Sequence, residues 1–129
     1  MAQRRSFDCG VACVAMFCHV DYMDALYVAQ RIAKQELYKG LNVRQVRAIA
    51  AELQRPLRVV NYKVVDLDED AGILGITYNV KPVGGYGHWV VLRHGTIIEP
   101  DPAAPRVWDA DIYLKTSNAR HGALLAEQL

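Results

Sequence analysis

Residues 8–20 read Asp8-Cys9-Gly10-Val11-Ala12-Cys13-Val14-Ala15-Met16-Phe17-Cys18-His19-Val20. Between Asp8 and His19 every side chain is small or apolar. This predicts a helix over Cys9–His19, buried on nearly all sides because it has no polar stripe to offer water. Asp8, a favourable N-cap type, precedes it. The first residue of such a helix is then a cysteine. Unsatisfied backbone N–H groups and the positive end of the helix dipole stabilise an anion at that position. A thiolate is one such anion and a tetrahedral oxyanion is another. Gly10 has no Cβ and allows substrate or backbone to approach closely.

The residues that follow predict more helix. Asp21, with Asp24 three positions on, opens a segment running towards Glu36, with Met23, Leu26, Tyr27, Ile32 and Ala33 as its apolar stripe. Gly40 is a helix stop. Asn42 with Gln45 forms a capping-box pattern, followed by Val43, Val46, Ile49, Ala50 and Leu53, and Pro56 ends the run. The second half changes period. Leu57–Val65, Ile73–Val80, His88–Arg93 and Thr96–Glu99 are rich in β-branched and aromatic residues, with His94-Gly95 as a hairpin turn. Val107–Leu114 is expected to add a last strand. Lys115–Leu129 fits either a short amphipathic helix or a loose tail. Helices first and strands after indicate an α+β domain with a segregated antiparallel sheet.

The chain has 129 residues, 52% hydrophobic and 22% charged, which excludes disorder and is expected to form one domain over 1–129. Fifteen basic residues against fourteen acidic ones leave no surplus for nucleic acid. No apolar run approaches the ~20 residues that span a bilayer. Three cysteines, an odd number, argue against a disulfide framework and for a reducing, cytoplasmic setting. Arg4-Arg5-Ser6-Phe7 has the look of an export signal, but Asp8 interrupts the passage to the apolar run.

His88 follows Gly84-Gly85-Tyr86-Gly87, a glycine-rich loop that leaves its imidazole accessible. A histidine there is a natural base for a thiol. A base acting on a nucleophile needs a partner on its other ring nitrogen. The strand after the His94-Gly95 turn ends at Glu99-Pro100-Asp101-Pro102. Antiparallel pairing brings that end beside His88, and period-two alternation puts Glu99 and Asp101 on one face. Pro102 holds Asp101 extended. Cys13 is expected in the core, and Cys9, Cys13, Cys18 and His19 lack the paired short spacings of a zinc site. Trp89 and Trp108 are expected to fill the core, Tyr86 to line a groove, and His94 and His121 to be solvated.

The segment Gln3-Arg4-Arg5-Ser6-Phe7-Asp8-Cys9-Gly10-Val11-Ala12-Cys13 resembles the start of the bacteriocin-processing, double-glycine peptidases of the papain-like clan. His88-Trp89-Val90-Val91-Leu92 and Asp101-Pro102 match their later motifs in order and setting. The resemblance covers residues 3 to 112. It implies a papain-like fold with the nucleophile at a helix N-terminus packed on an antiparallel sheet. It implies Cys9 as nucleophile, His88 as general base and Asp101 as the residue that orients it, with Glu99 as the competing acid. It implies an oxyanion hole from the Gln3 side-chain amide and the Cys9 backbone; the lack of a Cβ at Gly10 and the glycine-rich setting of Tyr86 and Gly87 place the expected substrate groove near those three residues. The expected activity is a cysteine peptidase or related amidase acting through a thioester on a peptide or protein substrate, with no cofactor and no metal. An acyl transferase or deamidase would use the same chemistry. The alternative is a non-catalytic module that keeps the groove and binds a peptide or protein. Family members mostly form the N-terminal domain of peptide-exporting ABC transporters. This chain carries no P-loop, and a stand-alone domain is expected.

Overall fold

The computed structural model describes residues 9–78, 86–100, 106–116 and 119–126. Three helices come first: α1 (Cys9–Cys18), α2 (Tyr22–Ala33), which continues into a 3-10 segment Lys34–Lys39, and α3 (Val43–Glu52). Six strands and a short fourth helix follow: β1 (Leu57–Val60), β2 (Ala71–Tyr78), β3 (Tyr86–Arg93), β4 (Thr96–Glu99), β5 (Arg106–Asp109), α4 (Ala110–Thr116) and β6 (Ala119–Ala126). The strands form one sheet in the order β1-β6-β2-β3-β4-β5, and every neighbouring pair is antiparallel. The chain is therefore α+β.

Helix α1 is buried at every residue except Met16, as its composition requires. It sits between α2, α3 and the sheet and packs on β3. Ile73, Trp89 and Val91 face this helical layer. Leu74, Val90, Leu92 and Ile97 face the other way, where Ala110 and Tyr113 of α4 cover them. The two-residue turn His94-Gly95 has φ of 44° and 86°, the positive values at both positions that a type I′ hairpin needs. The capping box of α3 forms in full. Asn42 Oδ1 accepts from Gln45 N at 2.8 Å, and Asn42 N donates to Gln45 Oε1 at 2.9 Å.

Several elements differ from the sequence expectation. Of the expected α2 stripe, Ala33 is buried and Leu26 and Ile32 pack half-buried on the core, but Met23 and Tyr27 are 58% and 67% exposed, and Tyr22, Ala25, Val28 and Ala29 are buried instead. Alanines let α2 approach the small-residue helix α1 closely, so residue size overrode hydrophobicity. The first strand stops at Val60, because Asn61 starts a turn. Its Oδ1 accepts from Lys63 N, and its carbonyl accepts from Val64 N. The expected strand Val107–Leu114 is split. Asp109 Oδ1 accepts from Ile112 N at 3.1 Å, which starts α4. That leaves Trp108 on β5 at 41% exposure rather than in the core. The C-terminal stretch, expected as helix or tail, is strand β6, inserted between β1 and β2. Tyr86 and Gly87 belong to β3, opposite Tyr78 and Thr77, and not to a loop. Among the described residues no helix is long and apolar enough to cross a membrane.

Candidate functional site

Cys9 is the first residue of α1 and is 8% exposed. The end of the helix that it opens is seated directly on β3. A Cβ placed on Gly10 would lie 2.9 Å from Leu41 Cδ1 and 3.1 Å from Trp89 Cδ1. The close approach that Gly10 permits is therefore to the protein's own core. Trp89 is fixed in turn, because its Nε1 donates to the Leu41 carbonyl at 2.9 Å. Its ring also lies over Gly75, where an added Cβ would meet Trp89 Cζ3 at 2.9 Å. The residue before Trp89 is His88. The fold thus joins Gly10, next to Cys9, to Trp89, next to His88, across 79 positions of sequence.

Alternation along β3 separates the two side chains by direction. Trp89 and Val91 face the helical layer that holds Cys9. Val90 and Leu92 face the opposite side, and His88 shares their parity. The described β3–β4 ladder runs from Arg93–Thr96 to Val91–Ile98. Among the described residues, β3 at His88 is therefore paired on its β2 side only, through His88–Ile76.

The imidazole of His88 is half-buried and its Nε2 atom is buried. Burial pushes its pKa below the ordinary histidine value of 6.5, and the Glu99 carboxylate acts the other way. His88 is thus a neutral imidazole near neutral pH, the form that accepts a proton. Glu99 lies on β4 with the parity of Ile97, on the same side as His88. Its charge acts on the imidazole. Gln3, Asp8 and Asp101 lie outside the described residues, as does the side chain of Tyr86.

The other two thiols differ in setting. Cys13 is fully buried one helical turn after Cys9; burial pushes its pKa well up, and proximity to Cys9 adds to the shift. The Cys18 thiol is pushed up to about 11 by burial, against a smaller lowering by Arg55. Both are held as thiols at neutral pH. Among the described residues, no group of three or more His, Cys, Asp or Glu could hold a metal ion.

Sequence reading overlooked Leu41, the residue against which both Gly10 and Trp89 are packed. A signal for it existed. Leu41 precedes the N-cap Asn42 and Val46 stands four positions after that cap, the spacing of a hydrophobic staple, and both are buried. Protein-family models and curated proteins were compared with the chain, and none matches it.

Proposed function

We infer that the chain is a papain-like thiol hydrolase that cleaves a peptide or amide bond of a peptide or protein substrate, with Cys9 as nucleophile and His88 as general base. The observation that carries this reading is the seating of the cysteine end of α1 on β3 beside His88, through Gly10 and Trp89. Two residues from distant parts of the chain are brought near one another along the backbone, in the order of the double-glycine peptidase motifs. In the reaction, His88 takes the Cys9 proton as sulfur attacks the carbonyl carbon. The tetrahedral oxyanion is held by the Cys9 backbone N–H and the Gln3 amide. The C–N bond breaks as His88 passes its proton to the leaving amine, giving a thioester. Water, deprotonated by His88, then releases the acid and restores the thiol. Asp101 orients the imidazole, with Glu99 as the competing acid. On this reading the imidazole, which has the parity of Val90 and Leu92, turns to the α1 side of β3 to meet the thiol.

A second reading is favoured by one observation. His88 has the parity of Val90 and Leu92, away from the layer of α1. A domain in which thiol and imidazole stay on their own sides would bind a peptide or protein without turnover.

Iodoacetamide near neutral pH, read out cysteine by cysteine by mass spectrometry, separates the two. A hydrolase labels at Cys9 well ahead of Cys13 and Cys18, and His88→Ala slows Cys9 by about tenfold or more. Uniform slow labelling that ignores His88→Ala overturns the hydrolase and leaves the binding module.

A further inference from the structure

At the far end of α1 lies a cleft of about 240 Å³, lined by Phe17, His19, Arg55, Ala71, Arg93 and His94. Four of these six side chains can carry positive charge and none can carry negative charge. The end of α1 that forms it is ~15 Å from Cys9, at 1.5 Å of rise per residue over ten residues.

The cations are fixed by neutral groups. Arg55 Cζ lies 4.4 Å from the centroid of the Phe17 ring. Stacking holds a guanidinium by its face and leaves the donors along its edge for other partners. Arg93 Nη2 donates to the Met16 carbonyl at 3.2 Å, which uses one of five N–H donors. Among the described residues neither arginine has a carboxylate within ion-pair distance. His94 Nδ1 donates to the Glu69 carbonyl at 2.9 Å.

The neighbouring backbone carbonyls are engaged elsewhere. The carbonyls at the ends of α1 and α3 are used internally. Val20 N donates to Ala15 O and His19 N to Met16 O, while Arg55 N donates to Ala50 O and Gln54 N to Ala51 O. Both closures put a non-glycine residue, His19 or Gln54, at positive φ. These two left-handed caps deliver His19 and Arg55 to the cleft. The acidic loop 66–70 turns the carboxylates of Asp66 and Asp70 onto its own backbone, while the Asp68 carboxylate lies beside Gly95, 3.5 Å from where a Cβ would stand.

We propose that this cleft is an oxyanion-binding site for a phosphate group, free or as the monoester of a small molecule, held between the Arg55 and Arg93 guanidiniums with His19 and His94 at its rim. Planar guanidiniums match the oxygens of a phosphate pairwise, which a single ammonium cannot do. The proposal is independent of the chemistry assigned to Cys9.

The test is a titration of the full chain, followed by amide chemical shifts, with inorganic phosphate and with glycerol phosphate at constant ionic strength against chloride. The expected result is saturable shifts centred on His19, Arg55, Ala71, Arg93 and His94 with one or both ligands, the tighter one showing whether the site takes free or esterified phosphate. Arg55→Gln and Arg93→Gln should each weaken binding about tenfold or more, and Arg93→Lys, which keeps a charge but loses the fork, should weaken it less. Shifts no larger than chloride produces, or shifts scattered over the surface, overturn the proposal from the wild-type chain alone.

Discussion

At His88, burial and a carboxylate pull in opposite directions, and burial wins: the folded pKa lies below 6.5. The sign of the consequence follows from proton counting. Between the folded pKa and 6.5 the unfolded chain binds the extra proton and the folded chain does not, so stability rises with pH there. The contribution of His88 is complete above 6.5 and is lost as pH falls through the folded pKa. Urea unfolding at steps from pH 7.5 to 5 should show this fall, and His88→Asn should flatten its share. Glu99→Gln removes the charge that favours the imidazolium, so the folded pKa drops further and the fall extends to lower pH. A Glu99→Gln curve that superimposes on wild type would mean that this carboxylate does not act on His88. Running the same series on Asp101→Asn compares the two acids directly.

At the scale of elements, the test cases are a cap and a glycine. Asn42 holds the start of α3, with its own side chain on Gln45 N and the Gln45 side chain on its N–H. Asn42→Ala should cost about 1 kcal/mol, measurable as a shift of the urea midpoint without a change in slope. Gly75 is covered by the Trp89 ring, 2.9 Å from where a Cβ would stand. Gly75→Val should cost about 1–3 kcal/mol and displace the indole that supports Gly10. Fluorescence of Trp89 reports the displacement, and unchanged emission with unchanged stability would contradict the packing. These elements also show what local chemistry can reveal. The Asn42–Gln45 box, the His94-Gly95 turn and the apolar run of α1 were legible because each is decided by residues a few positions apart. The stripe of α2 was legible only at Leu26, Ile32 and Ala33, since the choice of Ala25 and Ala29 over Met23 and Tyr27 depends on how closely α1 lets another helix approach. The end of β1 was missed through an Asx turn at Asn61, and the start of α4 through a cap at Asp109. Both are short-range signals hidden inside runs of strand-forming residues. In the candidate site, Cys9 and His88 could be named from their neighbours. The face to which β3 turns His88 required the sheet, since parity has meaning only once Trp89 and Val91 are known to meet the helices.

At the scale of the whole molecule, the outcome hinges on β6. Alanine, glycine, arginine and histidine make up most of Ala119–Ala126, and few of these favour a strand. The stretch is a strand because two others need it. Among the described residues β1 pairs only with β6, from Leu57–Ala126 to Val60–Ala123, and β2 pairs with it from Gly72–Leu125 to Tyr78–Ala119. The last strand is thus the link between the helical half, which β1 adjoins through α3, and the inner strand β2 that carries Gly75 beneath Trp89. Removing it would leave β1 with no strand partner among those described and would open β2 as a long edge, a template for pairing with other chains. A chain ending at residue 118 should therefore lose its cooperative thermal transition by circular dichroism and elute as aggregate in gel filtration. A second copy of residues 119–129, supplied as a peptide, should restore part of the transition by adding the missing strand. A truncated chain that stays monomeric and melts cooperatively near the full-length temperature would show that β1 and β2 do without β6, and the strand order β1-β6-β2 would have to be abandoned.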